Sequence, residues 1–130
     1  MKKLVVLLLL MVSTSVFAEW TNVGGNETGD KTVYADYGNI KRKGNKVQMW
    51  SLYDLKKVVI IADVRFLSSM RRDEYDCEEE TIRRLDSFKY SENMRGGEVV
   101  YSQTNIKEEA ESIPPDSLSG IFLKIACDKK

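Results

Sequence analysis

The segment that most restricts the fold is residues 47–53, which follow a turn with the sequence Lys43-Gly44-Asn45. A glycine-containing loop between two β-forming segments predicts a hairpin. Alternate residues of a strand point to opposite faces of a sheet. One face would carry Val47, Met49, Ser51 and Tyr53, and the other Gln48, Trp50 and Leu52. Because both faces present large apolar groups, the segment predicts a central strand, covered on one side by a helix or by a sheet that folds back.

A C-terminal helix is the second strong prediction. Asp116 or Ser117 can cap its N-terminus, directly after Pro114-Pro115 has ended the preceding segment. Apolar residues then recur at spacings of three and four, which gives one apolar stripe for packing on a sheet. The stripe consists of Leu118, Ile121, Phe122, Ile125 and Ala126. Strands followed by such a helix predict an α+β fold.

The N-terminus has the three-part pattern of a cleavable secretory signal peptide. Lys2 and Lys3 precede an apolar run over residues 4–12, and small and polar residues follow up to Ala18. The predicted organisation is a signal peptide at 1–18 and one domain at 19–130. Removing 18 of the 130 residues leaves 112, enough for one hydrophobic core. No cysteine lies near the predicted cleavage point, so we expect a soluble periplasmic, secreted or cell-surface protein without a lipid or membrane anchor.

The two cysteines, Cys77 and Cys127, form an even pair in a chain predicted to be exported. An oxidising compartment favours joining them as a disulfide. On the loop-entropy model, closing a loop of this length stabilises the fold by roughly 4 kcal/mol.

Residues 77–90 are ambiguous. Glu79 with Arg83 and Glu80 with Arg84 are favourable four-residue helix pairs. The segment lacks a sustained helical stripe, however, and its end at Phe88 to Tyr90 is strand-like. These local rules leave helix and strand both open.

The chain contains no histidine, which excludes Ser-His-Asp and Cys-His catalytic sites and the commonest zinc sites. The acidic residues of 73–80 could in principle supply a carboxylate pair or bind a hard cation, but the interleaved arginines favour a salt-bridged, solvated face. They also lack the spacing of a dedicated calcium loop. We therefore predict no enzyme activity, no metal and no cofactor.

Two basic clusters are the candidate binding residues. The first flanks the hairpin turn and the second lies on two later segments; if the strands that carry them pair, both sets could share one face. Arginine is well suited to interfaces. The predicted mature chain has 18 basic and 20 acidic residues, a balance that gives no general attraction to nucleic acid or anionic lipid. The candidates are Lys41, Arg42, Lys43 and Lys46, and Arg71, Arg72, Arg83 and Arg84. For the aromatic residues Trp20, Tyr34, Trp50 and Tyr53, core packing is favoured over binding.

The order of these features resembles the bacterial surface-adhesin protein E family. Characteristic elements are Tyr75-Asp76-Cys77, the segment Gly97-Glu98-Val99-Val100, the helix start after Pro114-Pro115 and the terminal Ile125-Ala126-Cys127. The resemblance implies an antiparallel sheet with the C-terminal helix against it, residues 77–90 as strand, and a disulfide between Cys77 and Cys127. It also implies protein partners such as the host matrix and serum proteins vitronectin, laminin and plasminogen.

Two functional hypotheses follow from the sequence. The first is adhesion to host matrix or serum proteins through a surface patch, although the family's namesake is lipid-anchored and this chain has no lipid-accepting cysteine. The alternative is a soluble periplasmic accessory or structural module that binds an envelope partner.

Overall fold

The structure is a computed structural model that describes residues 19–25 and 29–128. The predicted signal peptide at 1–18 lies outside these residues. In the described part, the elements follow in the order β1 (Trp20–Gly25), β2 (Lys31–Asp36), β3 (Lys41–Lys43), β4 (Lys46–Ile61), β5 (Val64–Asp76), β6 (Thr81–Tyr90), β7 (Val99–Gln103), β8 (Glu111–Ser112) and α1 (Leu118–Asp128). Short 3-10 helices occupy Tyr37–Asn39 and Asn93–Arg95.

All strands join one antiparallel sheet in the order β1-β2-β4-β5-β6-β7. β3 pairs with the first residues of β4, next to β2, and β8 pairs with the first residues of β6. The sequence-predicted hairpin turn at residues 43–45 and the central position of residues 47–53 are both confirmed, because β4 lies between β2 and β5.

Residues 81–90 form strand β6, as the family resemblance implies, but residues 77–80, which it also implies to be strand, form the turn before β6. The helix-favouring pairs do not form because Arg83 and Arg84 lie opposite Glu74 and Asp73 on β5. Cross-strand pairing and the disulfide at Cys77 outweigh a local helix preference of a few tenths of a kcal/mol.

The sheet's two faces are closed in different ways. On the first, which we call the helix face, Phe122 and Ala126 of α1 pack on a buried cluster that includes Val47, Met49 and Tyr75. On the opposite back face, Leu52, Met70 and Tyr90 are buried, and the partly buried side chains Trp20, Tyr34, Trp50 and Phe88 pack around them.

The helix is held at both ends. Gly120 N donates to Ser117 Oγ at 3.1 Å, so Ser117, of the two predicted caps, satisfies the first turn. The predicted disulfide forms between Cys77 and Cys127, with an S–S distance of 2.04 Å. Ile121 departs from the predicted buried stripe, because its side chain is 46% exposed. In the described part of the chain, no helix is long and apolar enough to cross a membrane.

The hairpin of β4 and β5 extends beyond the neighbouring strands. β2 pairs with β4 only up to Leu55, and the β4–β5 ladder is irregular between Asp54 and Val59. Beyond this irregularity, residues 58–65 form a two-stranded arm, on which Val58, Ile60 and Ile61 are exposed.

Candidate protein-binding surface

The back face carries a groove in which aromatic and basic side chains meet. Gln48, Trp50 and Leu52 alternate along β4 and therefore point to this face. Trp50 packs against Phe88, with ring centroids 6.2 Å apart. The groove has a volume of about 270 Å³ and is lined by Trp20, Asp36, Asn39, Lys41, Gln48, Trp50, Met70, Arg72 and Arg95.

Arg72 lines this groove and is held by three contacts. Its guanidinium carbon lies 5.6 Å from the Trp50 ring centroid, within cation–π distance. It also forms an ion pair with Asp86 and donates to Gln48 Oε1 at 3.4 Å. Arg95 similarly lies 5.8 Å from the ring centroid of Tyr90. These contacts hold both guanidinium groups in place over a partly exposed apolar floor.

The lysines of the first basic cluster extend the groove along the same face. In the hairpin register Lys41 lies opposite Gln48, and Lys43 lies opposite Lys46. A second depression of about 240 Å³ is lined by Lys41, Arg42, Lys43, Lys46, Gln48 and Glu74. The two depressions share Lys41 and Gln48, so they form one continuous surface, which we call the aromatic–basic groove.

Arg42 has a structural contact that the sequence did not indicate. Its register partner is Val47, which is buried against the helix. Its Nη1 donates to the carbonyl oxygen of Cys127 at 3.2 Å, at the C-terminal end of α1. A cation at this position also interacts favourably with the helix dipole.

The second basic cluster is divided between the two faces. β5 and β6 do pair, but neighbouring residues of a strand point in opposite directions. Arg72 and Arg83 lie on the back face, and Arg83 pairs with Glu74 at 3.2 Å. Arg71 and Arg84 lie on the helix face, where Arg84 pairs with Asp73 at 3.6 Å. The structure thus brings Lys41, Lys43, Lys46, Arg72 and Arg83 together and places the other three candidates elsewhere.

The acidic residues of 73–80 have structural contacts in the fold. Asp73 and Glu74 form the ion pairs with arginines. Asp76 Oδ1 accepts hydrogen bonds from the backbone N–H groups of Glu78 and Glu79, both at 3.0 Å, in the turn before β6. The described residues contain no group of three or more His, Cys, Asp or Glu arranged to hold a metal.

The ionisable groups with shifted pKa values lie on the helix face. Burial raises the pKa of Asp73 to about 6, against the opposing effect of nearby Arg84 and Arg71. Burial also raises the pKa of Tyr53 and, more strongly, that of Tyr75. Closing this face with a helix has therefore removed polar groups from water to an extent that favours their uncharged forms.

Sequence reasoning did not identify three parts of the groove. Arg95 lies in a 3-10 turn, where no periodic pattern indicates which way a side chain points. Trp20 and Trp50 were assigned to core packing, and they do pack on the back-face cluster while also lining the groove. The alternation of Gln48, Trp50 and Leu52 could have identified the tryptophans as groove residues. It predicts a second apolar face of the sheet, and the sequence predicts no second helix to cover that face.

Comparison with known proteins identifies the family. The sequence matches the family model described as Surface-adhesin protein E over residues 20–128. The chain belongs to this family. The match spans every strand and the helix, so the surface-adhesin protein E fold includes both faces described above.

Solved structures of Haemophilus influenzae protein E share this fold. The selenomethionine form matches with a TM-score of 0.60 and 14% sequence identity, over 75% of this chain and 79% of that chain. Protein E from non-typeable Haemophilus influenzae matches with a TM-score of 0.59 and 16% identity, over 88% of this chain and 79% of that chain. No curated protein sequence matches. At these identities the likeness establishes a shared surface-adhesin protein E fold.

Proposed function

We propose that this surface-adhesin protein E family member is an exported adhesin that binds a host extracellular-matrix or serum protein through the aromatic–basic groove. The family resemblance makes vitronectin, laminin and plasminogen the candidate partners. The observation that carries the proposal is the continuity of the groove from Trp20 and Trp50 to the lysines of the β3–β4 hairpin.

The composition of the groove is that of a protein-binding centre. Tryptophan, tyrosine and arginine dominate the residues that contribute most to protein–protein affinity. Trp50 and Arg72 are in contact, partly exposed and held in place by Phe88 and Asp86, so little conformational freedom remains to be lost on binding. The aromatic part of the groove would therefore supply most of the affinity.

The lysines would have a different effect on the same interaction. Lys41, Lys43 and Lys46 are exposed and lie at one end of the groove. Exposed charges at the rim of an interface mainly raise the association rate and make it dependent on salt. An acidic segment of the partner is the expected complement of this end.

A binding assay with purified vitronectin, laminin and plasminogen tests the proposal. Trp50→Ala should weaken binding at least tenfold, mainly through faster dissociation. Lys41→Glu with Lys43→Glu should slow association several-fold and reduce its dependence on salt. The matched control is Lys107→Glu with Lys124→Glu, which reverses two exposed charges away from the groove and should leave binding unchanged. Normal binding by both groove variants, with circular dichroism showing intact folds, would contradict the proposal.

Localisation separates adhesion from the periplasmic alternative. The untagged protein should be accessible to protease on intact cells if it acts as an adhesin. Release only by osmotic shock, with no accessible protein, would instead favour an accessory module that binds an envelope partner.

A further inference from the structure

A second charged surface lies on the helix face, beyond the area that α1 covers. Tyr53 marks the boundary, because its ring contacts Phe122 of the helix edge to face, with centroids 6.3 Å apart. Past Tyr53 the face carries cations on two neighbouring strands, Arg71 on β5 and Arg84 and Lys89 on β6. We call these three residues the cationic corner.

The register places the corner's side chains close together. Arg71 lies opposite Ser87, and Lys89 lies opposite Ser69. Arg71 and Lys89 are therefore diagonal neighbours, about 7 Å apart at the backbone by general sheet geometry. Ser69 and Ser87 lie between them and are buried.

Aromatic rings hold the cations in position. The Arg71 guanidinium carbon is 4.3 Å from the Tyr53 ring centroid. Lys89 Nζ is 4.5 Å from the centroid of Tyr101 and 5.1 Å from that of Phe66. Because these ring faces are covered by cations, the corner offers charge to a ligand rather than open stacking platforms.

Within the corner itself, three cations lie beside one carboxylate, that of Asp73. Arg84 is paired with Asp73, while in the described part of the chain neither Arg71 nor Lys89 forms an ion pair. Glu108, with Glu109 and Glu111, borders the corner only on its Arg84 side. Partial burial and repulsion by Arg71 and Arg84 lower the pKa of Lys89. A bound anion would relieve this repulsion.

We propose that the cationic corner binds the sulfate groups of a sulfated polysaccharide. Anionic groups repeated along such a chain match cations distributed over adjacent strands. The choice over an acidic peptide follows from the position of the corner on the face of the sheet. Arg71 is paired with both β4 and β6, and Lys89 with both β5 and β7. A peptide lying over these two residues therefore could not gain the main-chain hydrogen bonds that peptide recognition at a sheet edge uses. A polysaccharide bound by its sulfates needs only side-chain partners.

Calorimetry with a heparin-derived octasaccharide tests this inference. The wild-type protein should bind it, with affinity that falls as salt is raised. Arg71→Gln with Lys89→Gln should weaken binding at least tenfold, and Lys89→Gln alone should weaken it less. The control that loses the same charge at exposed positions, at the base of the β4–β5 arm and on α1, is Lys57→Gln with Lys124→Gln, for which a change below twofold is expected.

Three results would overturn the inference. Equal losses of octasaccharide affinity in the double variant and the control would show that binding depends only on the net charge of the protein. Equally tight binding of a chemically desulfated octasaccharide would exclude sulfate recognition. Binding of hexaglutamate as tightly as the octasaccharide, through the same residues, would assign the corner to an acidic protein segment. Failure here is distinguishable from failure of the adhesin proposal, which is scored on host proteins with substitutions on the opposite face.

Discussion

The two faces of the sheet differ in what shields their apolar residues from water. On the helix face, Phe122 and Ala126 of α1 cover the cluster and are 1% and 0% exposed. On the back face no α-helix is present among the described residues, and the cover consists of Trp20, Tyr34, Trp50 and Phe88, with Arg72 and Arg95 over the rings. The helix face thus holds a fully buried core that stabilises the fold. The back face keeps apolar side chains partly exposed, so that a partner can contact them.

Removing the disulfide is the largest expected perturbation of this arrangement. Cys77→Ala with Cys127→Ala opens a loop whose ends are 50 residues apart in sequence and should lower the free energy of unfolding by about 4 kcal/mol. Urea unfolding measures the loss. Hydrogen exchange should show lost protection in α1 while amides at the centre of β4 and β5 stay protected. Equal loss of protection throughout would mean that the helix is not a separable cover.

Truncating one phenylalanine on each face compares the two kinds of cover directly. Phe122→Ala should cost roughly 3 to 4 kcal/mol, because it leaves a cavity in a fully buried cluster. Phe88→Ala, on the partly exposed back face, should cost roughly 1 to 2 kcal/mol, because water and neighbouring side chains can fill the space. Both values come from chemical denaturation. Similar costs for the two substitutions would contradict the distinction between the faces.

The buried carboxylate of Asp73 gives the helix face a pH dependence. Burial raises its pKa from an ordinary value of 3.8 to about 6, so the folded state binds more protons than the unfolded state in this window. Stability from this group is therefore lost as pH rises through the window. As the pH rises from about 4 to about 7, the free energy of unfolding of Asp73→Asn should increase relative to that of the wild type by up to about 3 kcal/mol. Denaturation at several pH values tests this, with Asp63→Asn at the exposed β4–β5 turn as control. A constant difference between Asp73→Asn and wild type would contradict it.

The smallest expected effect concerns the charged contact at the end of the helix. Arg42→Gln removes the donor to Cys127 O and should cost about 0.5 kcal/mol, because the bond is exposed. Lys43→Gln, the neighbouring residue on the opposite side of β3, should cost less. Thermal unfolding of the two variants measures the difference in stability. An equal loss in both would show that Arg42 acts only through the net charge of the protein.

The sequence predicted the elements whose patterns are local. Helix α1, the hairpin turn at residues 43–45 and the cysteine pair each follow from short-range chemistry, and the structure confirms them, although Ile121 of the predicted apolar stripe is exposed. Strand β6 could not be predicted from local rules, because the pairs of Glu79 with Arg83 and Glu80 with Arg84 favour a helix in the same segment. Pairing with strand β5 decides between helix and strand, and local sequence rules do not include such a contact with another strand.

The distribution of the arginines could not be predicted for a related reason. Alternation guarantees that Arg71 and Arg72 point to opposite faces, but which face depends on register. An extra residue, Leu85, opposes the step between Arg72 and Asp73, and this bulge sets Arg72 opposite Asp86 and Arg84 opposite Asp73. The groove and the cationic corner are both consequences of that register.

The arm formed by residues 58–65 gives the protein a weak point for proteolysis. A two-stranded ribbon is marginally stable without a third strand, so this part of the β4–β5 hairpin can open while the rest of the sheet stays folded. The basic residues Lys57 and Arg65 lie at its two ends and are exposed, which are suitable positions for a trypsin-like protease. After a single cut there, the two pieces would remain joined through the ladders of β4, β5 and β6, so a nicked chain would keep both the aromatic–basic groove and the cationic corner.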